Sequence, residues 1–142
     1  MLSVEELVDR LIDLSFAEDI GDGDHTTLCC IPDDAMGKSH LLIKEDGILA
    51  GVEIAKEVFR RFDPTMQVEV LMQDGTCVKK GDIAMIVTGK VRSLLQTERL
   101  MLNIMQRMSG IATMTAKYVK RIEGTGTRVL DTRKTTPGMR ML

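Results

Sequence analysis

Three short β-type runs, at residues 68–71, 76–78 and 83–87, follow one another closely, parted only by Asp74-Gly75 and by Lys79-Lys80-Gly81-Asp82. Connections this short suit tight turns and an antiparallel arrangement, not the long crossovers of a parallel sheet. Helical patterns bracket the runs. Before them, Val52, Ala55, Val58, Phe59 and Phe62 recur at helical spacing until Asp63-Pro64 stops the run. Earlier still, Leu41 with Ile43 and Ile48 to Ala50 flank Glu45-Asp46-Gly47, a strand, a turn and a strand. The pattern predicts an α+β domain with helices packed on a mostly antiparallel sheet.

The chain opens on a further helix over residues 3–16. Val4, Leu7, Val8, Leu11, Ile12 and Leu14 form one broad apolar stripe, and Ser3 with Glu6 supplies a capping box. The following stretch, Glu18 to Thr27, concentrates Asp19, Asp22 and Asp24 with Gly21 and Gly23, a composition that favours turns. Its acids lack the alternating pattern and distant Glu of a calcium loop, so a structural turn is the expectation.

After the sheet-forming runs, Leu94, Met101, Met105 and Met108 mark the apolar seam of one helix. A break at Ser109-Gly110 suggests that a second helix runs on to Ile122. The polar side carries Gln96, Arg99, Asn103, Gln106 and Arg107, and its i+3 and i+4 steps let Arg99 and Asn103 face a common partner. For Arg107, Lys117, Lys120 and Arg121 the simplest reading is a solvated face. The eleven methionines read as adaptable core filler. Gly124 to Gly126 ends the helix, and Arg128-Val129-Leu130-Asp131 resembles a short buried strand entering a loop. One such strand followed by a Gly/Pro loop builds no sheet of its own, so the pattern expects a longer partner structure to complete it.

A net charge of -2 argues against non-specific binding to nucleic acid or to an anionic membrane surface, and the apolar runs are too short to span a bilayer. Three cysteines without a CxxC spacing fit a reducing compartment, with the adjacent Cys29 and Cys30 expected as packed thiols. His25 and His40 have no partner at metal-ligand spacing, and neither is assigned a role.

Charge is concentrated locally. Residues 128–140 hold Arg128, Arg133, Lys134 and Arg140 against the single acid Asp131, with Thr132, Thr135 and Thr136 adding hydroxyls. Arginine offers a planar fork that matches a carboxylate in two bonds, and lysine a mobile point charge suited to phosphate or pyrophosphate. On residue types alone, a solvated basic loop is the competing reading.

Three segments bear on that choice: Glu18 to Thr27; Glu98-Arg99 with Leu102-Asn103 and Ser109-Gly110-Ile111-Ala112-Thr113; and Asp131-Thr132-Arg133-Lys134-Thr135-Thr136-Pro137-Gly138. In this order they resemble the opening loop, the central helical signature and the first catalytic loop of quinolinate phosphoribosyltransferases, the carboxylating nicotinate-nucleotide pyrophosphorylases. The resemblance implies an α+β N-terminal domain over residues 1–126. Residues 127–142 would be the first strand and catalytic loop of an open α/β barrel that is truncated in this chain. It also implies transfer of a phosphoribosyl group from phosphoribosyl pyrophosphate to quinolinate with decarboxylation, giving nicotinate mononucleotide, as a step of NAD biosynthesis. Magnesium is implied, with ligands beyond this chain.

Carried over residue by residue, the resemblance makes Arg133 a quinolinate carboxylate ligand and Thr132 a hydroxyl contact. Lys134 falls between substrate and donor. Arg99 matches a substrate-binding arginine that reaches into the neighbouring subunit's site, so a homodimer is the smallest competent unit, with a hexamer as a larger assembly. The expected location is the cytoplasm, and the isolated chain is expected to be an inactive fragment. Two alternatives stand beside this reading. One is a molybdenum-transport-type relative acting on another acidic heterocycle; the other is a lipoyl- or biotinyl-like carrier module suggested by the turn rhythm of residues 74–83.

Overall fold

The computed structural model describes residues 2–142. Helix α1 spans Val4–Ile20, and the expected capping box is formed: Glu6 N–H donates to Ser3 Oγ at 3.1 Å and Ser3 N–H donates to Glu6 Oε2 at 2.6 Å. The helix continues past the end of its apolar stripe because Ala17 to Ile20 tolerate helical geometry. Gly21, at φ 56°, then supplies the left-handed residue that stops it. Only Ile12 is fully buried; Val8 and Phe16 pack partly against the core, whereas Val4 and Leu14 stay exposed. The stripe in use is narrower than the pattern suggested.

Helix α2 (His25–Cys30) is capped by Asp24, so part of the acidic stretch is a helix start. This single short turn buries only Thr27, which leaves Cys29 and Cys30 exposed instead of packed. Strand β1 (Met36–Leu42), β2 (Gly47–Ile48), helix α3 (Val52–Phe62), β3 (Gln67–Val70), β4 (Cys77–Val78) and β5 (Ile83–Lys90) follow. The sheet order is β1-β5-β3, antiparallel throughout, with Ser39 opposite Val87 and Gln67 opposite Thr88. Strands β2 and β4 form a separate antiparallel pair.

Although β1 and β2 flank the Glu45-Asp46-Gly47 turn, they do not pair with each other. Strand β5 carries buried Ala84, Met85 and Val87, which makes it the natural centre of the sheet, and β1 and β3 occupy its two edges. Turn chemistry marks where the chain reverses; burial selects the partner.

Helix α4 is continuous from Val91 to Arg121, a correction to the expected break at Ser109-Gly110. A glycine inside a helix costs about 1 kcal/mol relative to alanine. Here neighbouring residues bind the helix laterally. Ser109 Oγ accepts from Ala50 N–H at 3.0 Å and donates to Ala50 C=O at 3.1 Å, and Thr113 Oγ1 accepts from Ile48 N–H at 2.9 Å. The signature thus docks α4 against β2 and the start of α3.

The core lies between the sheet, α3 and the first half of α4. It includes Val52, Val58, Phe59, Met85, Met101 and Met105, so several methionines fill it as expected. Phe16 and Phe62 meet at a ring-centroid distance of 5.2 Å, and Arg61 ties α3 to α1 through Asp9 at 3.1 Å and Asp13 at 2.6 Å. Beyond α4, residues 128–131 form no ladder, and Leu130 is 84% exposed. An extended segment becomes a strand only beside a partner for its N–H and C=O groups, and none of the described residues provides one.

Candidate functional site

The loop after residue 130 is held by its own hydrogen bonds. Thr132 N–H donates to Asp131 Oδ1 at 2.6 Å, and Lys134 N–H donates to Thr132 Oγ1 at 3.3 Å. Arg140 turns back along the loop: Nη2 donates to the Arg133 carbonyl at 2.6 Å and Nε to Thr135 Oγ1 at 3.5 Å. Gly138, at φ 79°, permits the turn that returns the chain, and Met139 N–H closes it on the Thr136 carbonyl at 3.0 Å. Its far end rests on α1, where Gly138, Arg140 and Met141 line a small apolar hollow with Leu7, Leu11 and Leu14.

Arg140 is therefore a scaffold of the loop. By contrast, Arg133 and Lys134 have no acidic partner among the described residues, and both are exposed. Their backbones are anchored while their side chains remain available to an anion. The Thr132 hydroxyl accepts from Lys134 N–H and retains its own proton to donate.

Helix α4 contributes two more cations. Arg107 Nη2 donates to Thr136 Oγ1 at 2.9 Å, a tie between the helix and the loop. The reading of Arg107 as part of a solvated face missed this contact. Its place on the same helix side as Arg99 and Asn103 was the available signal. Arg99, two turns earlier, is met by the end of α1 and the start of α2: its Nε lies 3.1 Å from both Asp19 Oδ1 and Oδ2, and its Nη2 lies 3.6 Å from Asp24 Oδ2. These contacts raise the Arg99 pKa, the hydrogen bond to Asp19 being the main cause.

Asp24 is held below the usual carboxylate range, first by the Thr27 backbone N–H at 3.1 Å, then by the Thr27 hydroxyl at 2.9 Å and the charge of Arg99. Thr132, Arg133 and Lys134 thus share one loop, whereas Arg99 is held by a separate acidic pair. Among the described residues, no hydrogen bond or ion pair joins it to the loop.

The Asp74–Ile83 segment, which prompted the carrier-module reading, is built into the domain. Asp74 Oδ1 caps α3 by accepting from Val52 N–H at 2.8 Å, and the Lys80 N–H donates to Asp46 Oδ1 at 2.8 Å. No helix among the described residues is long and apolar enough to cross a membrane.

The sequence model of the quinolinate phosphoribosyl transferase N-terminal domain matches residues 24–109, and that of the C-terminal domain matches residues 111–142. A curated relative from Nicotiana tabacum, quinolinate phosphoribosyltransferase [decarboxylating] 1b, is 43% identical over 133 residues, covering 93% of this chain and 37% of its own length. A probable nicotinate-nucleotide pyrophosphorylase [carboxylating] from Synechocystis is 40% identical, covering 96% of this chain and 46% of its own. The solved nicotinate-nucleotide pyrophosphorylase from Francisella tularensis superposes with a TM-score of 0.90 at 38% identity, over 99% of this chain and 50% of that one. NadC from Streptococcus pyogenes also gives 0.90, at 36% identity, over 96% of this chain and 48% of that one. The chain spans less than half the length of these two curated relatives.

Proposed function

Because this chain belongs to the quinolinate phosphoribosyltransferase family, we propose that it carries the quinolinate-binding cations of an enzyme that joins quinolinate to phosphoribosyl pyrophosphate and releases carbon dioxide and pyrophosphate. The observation that carries the reading is the loop of residues 131–138. Arg140 ties down its backbone at Arg133 and Arg107 holds its Thr136 hydroxyl, while Arg133 and Lys134 project without a described carboxylate of their own.

Quinolinate presents two adjacent carboxylates on a pyridine ring, a pattern matched by a guanidinium fork beside an ammonium. Arg133 takes a carboxylate and holds the ring, so that its nitrogen faces the anomeric carbon of the donor. The nitrogen lone pair forms the new C–N bond as the C–O bond to pyrophosphate breaks, with that bond's electron pair leaving on pyrophosphate. Lys134 stabilises the charge developing there, and Thr132 adds a hydroxyl contact.

The ring nitrogen is now a cation. Loss of the carboxylate beside it as carbon dioxide leaves an electron pair on the ring carbon. The pyridinium stabilises that pair until a proton replaces it, giving nicotinate mononucleotide. No residue of this chain acts as a base in that step.

Arg99 extends into the site of a second subunit, which makes a homodimer the smallest active unit, with a hexamer assembled from dimers as a further form. Magnesium accompanies the pyrophosphate donor in this reading. Among the described residues no three His, Cys, Asp or Glu side chains gather to hold an ion. The three free, exposed cysteines suit a reducing compartment and support a cytoplasmic setting.

Calorimetry tests the loop assignment. Arg133→Ala in the full-length enzyme is expected to weaken quinolinate binding about 10- to 100-fold, the range of a charge-assisted hydrogen bond. Near-normal affinity would sink the role given to Arg133.

A further inference from the structure

Arg99 projects from the polar side of α4 with half of its side chain exposed, yet it is not free to wander. Two carboxylates converge on it, Asp19 from the last turn of α1 and Asp24 from the N-cap of α2. Asp19 engages Nε through both oxygens at 3.1 Å, and Asp24 lies 3.6 Å from Nη2. No hydrogen bond from Nη1 goes to another described residue. One side of the guanidinium is therefore held while part of it remains open to an incoming carboxylate.

The acids are themselves fixed. Asp24 is the N-cap of α2, with Oδ1 accepting from Thr27 N–H and Oδ2 from the Thr27 hydroxyl, and its side chain is only 11% exposed. Thr27 is buried. Gly21 and Gly23, both at positive φ, let the connection turn sharply enough to carry Asp19 and Asp24 to the same arginine. The aim of Arg99 is thus set by the last turn of α1 and the start of α2, with Asp19 80 residues away in sequence.

We propose that Asp19 and Asp24 are positioning residues for Arg99, holding its guanidinium in the orientation that meets a substrate carboxylate. The inference rests on the reading of Arg99 as a substrate contact in a second subunit's site. A long arginine side chain loses much rotamer freedom when it binds, and an arginine already held by two carboxylates has lost part of it beforehand. The acids therefore act on affinity through Arg99 and touch no substrate. A surface ion pair that merely joined α4 to α1 and α2 would influence folding and leave substrate affinity alone.

The test is a double-mutant cycle in the full-length enzyme, with steady-state kinetics for quinolinate and thermal unfolding of each variant. The substitutions are Arg99→Ala, Asp19→Asn, Asp24→Asn and the pairs with Arg99→Ala. Asparagine is a good N-cap, so Asp24→Asn keeps α2 started and the domain folded. Each acid variant is expected to raise KM about threefold to tenfold, more than it lowers kcat, and to have no further effect once Arg99 is alanine. If the acid variants leave KM unmoved, or raise it equally with and without Arg99, the positioning role is overturned while Arg99 keeps its own. If Arg99→Ala itself leaves KM unchanged, the substrate role of Arg99 falls, and the positioning role falls with it.

Discussion

Gly47 approaches Thr113 so closely that a Cβ at residue 47 would lie 2.6 Å from Thr113 Oγ1. The contact joins β2 to the second half of α4, and the same hydroxyl accepts from Ile48 N–H at 2.9 Å. Thr113, the last residue of the Ser109–Thr113 signature, is thus a docking point for a strand 65 residues away.

Gly47→Ala is therefore expected to push β2 off the helix and destabilise the domain by about 1–3 kcal/mol, the usual cost of overpacking. Denaturant unfolding measures it. Gly47→Ala combined with Thr113→Ala should recover part of the loss, because the clashing hydroxyl is gone. An additive double variant would show that the clash is not the cause.

Arg107 and Thr136 make the only side-chain hydrogen bond from α4 to the loop of residues 131–138 among the described residues. Both residues are exposed, so Arg107→Ala should change global stability by less than about 0.5 kcal/mol. Loop mobility is expected to respond instead. Amide exchange over residues 131–138 should quicken relative to the α3 core, and unchanged exchange there would remove Arg107 from its anchoring role.

Three carboxylates link stability to pH: Glu57, held low beside Arg60, and the two aspartates Asp24 and Asp63. Asp24 is held low chiefly by the Thr27 backbone N–H, and Asp63 chiefly by the Ser93 hydroxyl with help from Thr65; both have an ordinary value of 3.8. A carboxyl depressed in the folded state stabilises it fully above that ordinary value. The contribution fades as pH falls through the lower folded value. Unfolding free energy followed from neutral pH downward should therefore drop below about pH 4, and more shallowly in Asp63→Asn. A slope identical to that of the parent protein would dismiss Asp63 as a contributor.

Much of this architecture was legible in local pattern. The Ser3–Glu6 capping box, the apolar spacing of α3 and the turn residues around β4 announce themselves because they depend on neighbours within a few positions. The cationic loop at residues 131–138 was equally plain, as was the family likeness it carries together with the Glu18–Thr27 and Glu98–Thr113 segments.

What only the tertiary structure decided were relations between distant residues. Ser109-Gly110 reads locally as a break, yet α4 runs through it because Ala50 and Ile48 bond to Ser109 and Thr113 from another element. The acidic stretch reads locally as a turn, yet Asp19 and Asp24 converge on Arg99. Residues 128–131 read locally as a strand, yet they remain unpaired, since a strand needs a neighbour and apolar side chains alone do not supply one. Backbone propensity and turn chemistry act over a few residues and are written in order along the chain. Pairing, docking and the aim of a charged side chain depend on which surfaces meet, and that is settled only when the whole domain folds.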